Sequence, residues 1–180
     1  MNEVEAVILT GGASRRMGKD KAKLVVAGEP LAARIAGLIA TQGVPVTVAG
    51  REPIASHAFL EDGESFAGPL SALATFQPKA EFVFVASCDL PGFDPRLIAM
   101  LANGIGAHQA AVPMAGGRAQ PLCALYRASA FAEAARLAAV GERRVMAWLA
   151  CLDWTPVEDI EPAWLANVNT PDDLREFPVS

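Results

Sequence analysis

Two apolar runs, Val4-Glu5-Ala6-Val7-Ile8-Leu9 and Phe82-Val83-Phe84-Val85-Ala86, constrain the fold of this chain more than any other feature. Each reads as a buried strand, and each is stopped by a turn that carries chemistry. Thr10-Gly11-Gly12 follows the first, and Ser87-Cys88-Asp89 follows the second. Helical patterns lie between and after them. Pro30 opens one that reaches about Gln42, with Leu31, Ile35, Leu38 and Ile39 at core-facing spacing. Gly68-Pro69-Leu70 starts another, to about Phe76.

The rest of the chain keeps the alternation. Leu24 to Glu29 makes a short extended piece and turn, Val44 to Ala49 a strand, and 51–67 a loop-rich stretch with brief pairing at Phe59-Leu60. A helix over Asp94–Ala102 precedes two strands, Ala110–Met114 and Leu122–Tyr126, which flank a Gly116-Gly117 turn. Helices over 128–139 and 142–151, a strand over Trp154–Val157 and a capped closing helix at Thr170–Leu174 complete it. This order predicts a three-layer α/β/α sandwich of the Rossmann-like kind. Its sheet is mainly parallel, with one antiparallel excursion near 110–126.

Composition narrows the function classes. The 180 residues suit one domain spanning 1–180, and 52% apolar against 19% charged residues excludes a disordered chain. A net charge of −5 argues against a general nucleic-acid surface. No apolar run reaches the roughly 18–20 residues of a membrane span, and the start, Met-Asn-Glu-Val-Glu, lacks a signal-peptide pattern. Cys88, Cys123 and Cys151 have neither disulfide-framework nor zinc-site spacing. The expectation is a cytoplasmic enzyme or binding protein, without nucleic acid or membrane partners.

Against the net sign stands a basic loop. Arg15, Arg16, Lys19, Lys21 and Lys23 follow the paired glycine directly, five of only fifteen Lys and Arg in the chain. Glycine lets the backbone approach phosphate oxygens, and the cations neutralise their charge, so a polyphosphate is the expected ligand. A Walker A loop is excluded, because Gly12 and Gly18 enclose five residues and Asp20 follows Lys19. A dinucleotide fingerprint fails as well, since Ala13 and Ser14 follow the glycines.

The remaining spacing, G-G-x-S-x-R-M-G-x-D-K over 11–21, resembles the loop of the molybdenum cofactor guanylyltransferase family, the MobA-like nucleotidyltransferases. Further segments are similar to the family's motifs in the family's order. They are Glu61-Asp62 before Gly68-Pro69-Leu70, then Ser87-Cys88-Asp89-Leu90-Pro91 and Gln120 to Tyr126. Gly141 to Met146 and Asn167 to Asp172 follow.

The resemblance implies a nucleotide-diphospho-sugar transferase-like fold and transfer of GMP from GTP to the terminal phosphate of molybdopterin or molybdenum-molybdopterin. Pyrophosphate is released, with Mg²⁺ as cofactor. Lys21 would bridge donor phosphates and Arg16 would hold the outgoing pyrophosphate, with Lys23 the rival for the role of Lys21. Asp89 would be the metal ligand, against a turn or capping aspartate. Leu9, Thr10, Gly11 and Gly12 would offer backbone contacts to the nucleotide, and Asp62 a carboxylate. Arg144, Asn167 and Asn169 would meet the acceptor, unless Arg144 only decorates a helix face.

Two departures bear on base selectivity: Thr10 replaces the family's usual alanine, and Ala49-Gly50 stand where an asparagine is common. CTP or another phosphorylated acceptor is therefore the rival chemistry. A non-catalytic nucleotide-binding module in cofactor delivery is the rival class. Other cofactor-biosynthesis proteins and molybdoenzyme chaperones are the further partners the resemblance implies. Trp148, Trp154 and Trp164 read as core or rim, and His57 and His108 as surface residues without partners.

Overall fold

The computed structural model describes residues 3–10, 25, 26, 28–61 and 68–168. Gly11, Gly12, Arg16, Lys21, Lys23, Asp62, Asn169 and the closing helix at Thr170–Leu174 lie outside these residues.

Val4–Leu9 forms β1, and every one of its side chains is buried. The alternation of the pleat explains how: Val4, Ala6 and Ile8 enter one core, whereas Val7 and Leu9 enter the other. Phe82–Ser87 forms β6 and repeats the pattern, with Phe84 and Ala86 on the first face and Val83 and Val85 on the second. Both strands are thus covered twice, as strands inside a helix-flanked parallel sheet must be. Glu5 is the one charged residue in these runs. Its carboxylate Oε1 accepts the backbone N–H groups of Lys79 and Ala80, which offsets the cost of burying it.

After β1 the chain makes a small antiparallel pair, β2 (Val25–Val26) with β3 (Glu29–Pro30), then α1 (Leu31–Ala40), β4 (Val46–Gly50) and β5 (Ala58–Glu61). The helix α2 (Pro69–Thr75) leads to β6, α3 (Arg96–Gly104), β7 (Ala110–Ala115), β8 (Arg118–Ala119) and β9 (Cys123–Arg127). Then come α4 (Ala130–Ala139), α5 (Val145–Leu149) and β10 (Trp154–Val157). Among the described residues one sheet runs β10-β7-β9-β6-β1-β4-β5, with β8 attached to β7. The neighbours β7–β10, β6–β1, β1–β4 and β4–β5 are parallel, and β9 runs antiparallel to both of its neighbours. Leu31, Ile35 and Ile39 of α1 and Leu97, Ile98 and Leu101 of α3 cover one face. Leu70 and Leu73 of α2, Phe131 of α4 and Trp148 of α5 cover the other. The three-layer sandwich expected from the sequence is present.

Several boundaries shift by a few residues from expectation, and three of the differences have a clear local reason. The helix expected from Asp94 starts at Arg96: Pro95 is the residue at its N-cap, and Asp94, one residue further out, accepts the Arg96 N–H at Oδ1 (2.9 Å). Gly116-Gly117 turns β7 into the short β8, and β9 begins only after Gln120–Leu122 cross over. The helix expected over 142–151 shrinks to Val145–Leu149, because residues 141–144 are taken up in ending α4 and capping α5.

Candidate active site

The parallel strands end together. Leu9 stands opposite both Ala49 of β4 and Ser87 of β6. From β1 the chain moves through α1 to β4 and β5 on one side, and then returns to β6 on the other side of β1. The order therefore reverses between β1 and β6. Open α/β sheets leave a crevice outside the strand ends at such a point, where no crossover helix covers the gap.

Thr10 and Asp89 flank this edge. The Thr10 N–H donates to the Ala49 carbonyl (2.9 Å), and its Oγ1 donates to the same oxygen (3.2 Å). The departure from alanine is thus partly absorbed inside the fold, since the hydroxyl proton is committed to β4. Leu9 is only 5% exposed, so any contact it offers a ligand is a backbone contact. Asp89 is half-buried, and its Oδ1 accepts the Ser87 hydroxyl (2.7 Å) while its carbonyl accepts the Val168 N–H (2.9 Å). Ser87 belongs to the S-C-D-L-P segment, and no role follows for it from the resemblance. Its signal in the sequence is a hydroxyl two residues before a strand-end acid.

Asp89 opens onto a cleft of about 440 Å³. Arg144 and Asn167 line the same cleft, so three of the expected site residues, drawn from distant parts of the chain, converge. Gln120, Val145 and Met146 line it too, and Met146 is 55% exposed although apolar. The mixture of one acid, one guanidinium, two amides and an apolar wall suits a ligand that is anionic at one point and flat elsewhere. Gln120, again only part of a quoted motif, is brought in by the crossing before β9. The Tyr126 hydroxyl secures that crossing by donating to the Pro121 carbonyl (2.7 Å).

Arg144 precedes α5, and its guanidinium is held by Glu142. Nε donates to Oε1 (3.0 Å) and Nη2 to Oε2 (2.7 Å), which holds the Glu142 carboxyl down to about 2 and raises Arg144 further above its ordinary value. Gly68, at the head of α2, has a φ of +95°. A Cβ on it would stand 3.3 Å from the Arg143 carbonyl oxygen, so the G-P-L turn and the G-E-R-R segment are in close contact.

Other expectations resolve simply. Trp148 is fully buried, stacked on Tyr126 with ring centres 4.4 Å apart, and its Nε1 donates to the Ala130 carbonyl (3.0 Å). Trp154 packs against the same core, and Trp164 lies under the Arg96 guanidinium at 4.9 Å. The reading of the tryptophans as core and rim holds. His108 does have a partner, contrary to expectation: its Nδ1 is 3.0 Å from Asp153 Oδ1. Burial raises the Cys123 thiol far above its ordinary range, and the nearby Asp89 charge adds to this, so Cys123 stays a protonated wall of the cleft.

A metal here would rely on few protein ligands. Among the described residues no three His, Cys, Asp or Glu side chains form a cage. One carboxylate beside a hydroxyl fits Mg²⁺, which usually keeps waters and takes its other ligands from substrate phosphates. No helix among the described residues is long and apolar enough to cross a membrane.

Fold and cleft together define an α/β/α protein whose cleft opens beyond the carboxyl ends of the parallel strands β1 and β6. The chain belongs to the MobA-like NTP transferase domain family, whose profile matches residues 6–154. It is 34% identical to a probable molybdenum cofactor guanylyltransferase of Mycobacterium marinum, over 93% of this chain and 90% of that one. It is 30% identical to the molybdenum cofactor guanylyltransferase of Shewanella amazonensis, over 97% and 95% respectively. In fold it is similar to molybdopterin-guanine dinucleotide biosynthesis protein A from Archaeoglobus fulgidus, with a TM-score of 0.79, 22% identity and 95% of each chain covered. It also resembles the 2-C-methyl-D-erythritol 4-phosphate cytidylyltransferase of Thermus thermophilus, with a TM-score of 0.69 at 20% identity, covering 94% of each chain.

Proposed function

We propose that this nucleotidyltransferase, a single domain over 1–180, transfers GMP from GTP to the terminal phosphate of molybdopterin or molybdenum-molybdopterin in the cytoplasm. An acceptor phosphate oxygen attacks the α-phosphorus of GTP. The bond from that phosphorus to the bridging oxygen breaks, and pyrophosphate leaves with the electron pair. Both reactants are anions, so the barrier is set by like-charge repulsion and by charge growing on the leaving group.

The residues divide that work. Lys21 spans the donor phosphates and Arg16 holds the departing pyrophosphate, each lowering the energy of charge that develops during displacement. Gly11 and Gly12 admit the phosphate oxygens to the backbone, Leu9 and Thr10 meet the base, and Asp62 reaches the nucleotide. Asp89 would hold Mg²⁺, which when bound would neutralise phosphate oxygens and polarise the phosphorus. Arg144, Asn167 and Asn169 orient the acceptor.

The observation that carries this reading is the cleft in which Asp89, Arg144 and Asn167 meet. A metal-binding acid and an anion-binding arginine on one cavity suit a reaction that joins two phosphates. The test is pyrophosphate release from purified protein given Mg²⁺, loaded acceptor and either GTP or CTP. Release with GTP supports the proposal, and release with CTP alone makes it a cytidylyltransferase. No release with any pair, despite measurable nucleotide binding, makes it a delivery module. Cofactor-biosynthesis proteins and molybdoenzyme chaperones would receive the product.

A further inference from the structure

Arg144 is 79% exposed, yet its guanidinium has a defined direction. The Glu142 carboxylate takes the edge formed by Nε and Nη2. The adjacent edge, Nη1 with the outer hydrogen of Nη2, makes no hydrogen bond among the described residues. A guanidinium can engage two oxyanions at once through neighbouring edges, because its donors lie in one rigid plane. An exposed arginine without such a partner samples many rotamers and pays side-chain entropy each time it binds.

Glu142 is itself fixed from two sides. Gly141, with a φ of +85°, donates to the Ala138 carbonyl (3.0 Å), and Glu142 N–H donates to the Leu137 carbonyl (3.0 Å). This pair is the Schellman arrangement that ends α4, so the backbone of Glu142 is anchored to that helix. Its Oε1 also accepts the N–H groups of Arg143 (2.8 Å) and Arg144 (2.9 Å), the donors ahead of α5. The side chain is only 21% exposed. A line of contacts thus runs from the end of α4 through Glu142 to a guanidinium on the wall of the cleft.

We propose that Glu142 is a positioning residue for the reaction, holding the Arg144 guanidinium edge-on for the acceptor phosphate. The proposal rests on the acceptor role given to Arg144 above. It makes a prediction of unusual sign. A carboxylate near an anion site opposes binding through its charge, so removing that charge should tighten acceptor binding if positioning is unimportant. Positioning predicts the reverse.

The experiment compares Glu142→Gln, Arg144→Ala, Arg144→Lys and the double variant Glu142→Gln/Arg144→Ala, in steady state with GTP, Mg²⁺ and molybdopterin. Glutamine keeps an oxygen for the Arg143 and Arg144 N–H groups but cannot accept a fork. The expected result is that Glu142→Gln raises the acceptor KM about tenfold and leaves the GTP KM unchanged. The double variant should then be no worse than Arg144→Ala. Lysine at 144 keeps the charge without the planar edge and should also raise the acceptor KM, which tests the idea even if the glutamine variant folds poorly. An unchanged or lowered acceptor KM in Glu142→Gln, beside a raised one in Arg144→Ala, overturns the positioning role and leaves the acceptor role intact. An unchanged acceptor KM in Arg144→Ala overturns both.

Discussion

The Ser87 hydroxyl donates to Asp89 Oδ1 across 2.7 Å, tying the last residue of β6 to the acid just beyond it. Since β6 is a central strand buried on both faces, this bond refers the direction of the carboxylate to the core of the sheet. If Asp89 holds Mg²⁺ as proposed, a carboxylate held in that way keeps its orientation before metal binding.

Asp89→Asn is therefore expected to reduce the Mg²⁺-dependent rate by about 10²-fold or more. Tm should change little, because the Asp89 contact to Val168 uses the backbone carbonyl. Ser87→Ala should raise the Mg²⁺ concentration for half-maximal rate by about tenfold, the usual size of an effect from a residue that orients a metal ligand. Metal titrations of initial rate, with Tm measured alongside, separate the two. A collapse of Tm in Asp89→Asn would instead make Asp89 a structural turn residue.

Gly68→Ala tests the contact between the G-P-L turn and the arginine segment. At a φ of +95° and a ψ of 166° the backbone lies where only glycine is at ease, and the new Cβ would press on the Arg143 carbonyl at 3.3 Å. The expected cost is about 1–3 kcal/mol, or about 2–4 °C of Tm per kcal/mol in a chain of this size. The acceptor KM should rise with it, because relief of the clash moves the backbone that carries Arg144. A lowered Tm with an unaltered acceptor KM would separate the turn from the acceptor site.

What the sequence made legible follows from where its signals are local. β1 and β6 were placed to within a residue, because a doubly buried strand writes its whole length in apolar residues. The direction of β9 was partly visible from the glycine turn, but the real connection runs through β8 and the Gln120–Leu122 crossing, which no short-range pattern encodes. Asp89, Arg144 and Asn167 were named separately; that they share a cleft depends on the sheet order, a tertiary fact. Glu142 was missed as a participant because its partners are backbone donors and one guanidinium. The same residues, read as a string, look like a solvated helix start. His108 was missed in the other direction, since Asp153 lies 45 residues away.

Trp148 distinguishes packing from ligand stacking. Its ring is buried against Tyr126 and Phe131, and its Nε1 proton goes to Ala130. Trp148→Phe should lower stability by about 1–3 kcal/mol, through a lost hydrogen bond and a small cavity, as read by Tm or denaturant midpoint. KM for either substrate should not move. An acceptor KM that rose without any loss of Tm would put the indole in the binding site instead.

The Glu142–Arg144 pair also sets an acid dependence. In the unfolded chain Glu142 takes up a proton near its ordinary value of 4.5, whereas in the folded protein the Arg144 fork holds it down to about 2. Between those values the unfolded state binds more protons, so lowering the pH favours unfolding. The pair's contribution is complete above about pH 5 and is lost as pH falls through 4.5 toward 2. Asp94 beside Arg96 and Glu133 beside Arg136 are lowered for the same reason, so the acid loss of the native protein is shared among them. Subtraction isolates the one pair. The Tm difference between the native protein and Glu142→Gln should be constant from pH 8 to about 5 and should narrow steadily below that. A gap that stayed constant down to pH 3 would mean that the stability comes from the backbone contacts of residue 142, which glutamine preserves in part, and not from its charge on Arg144.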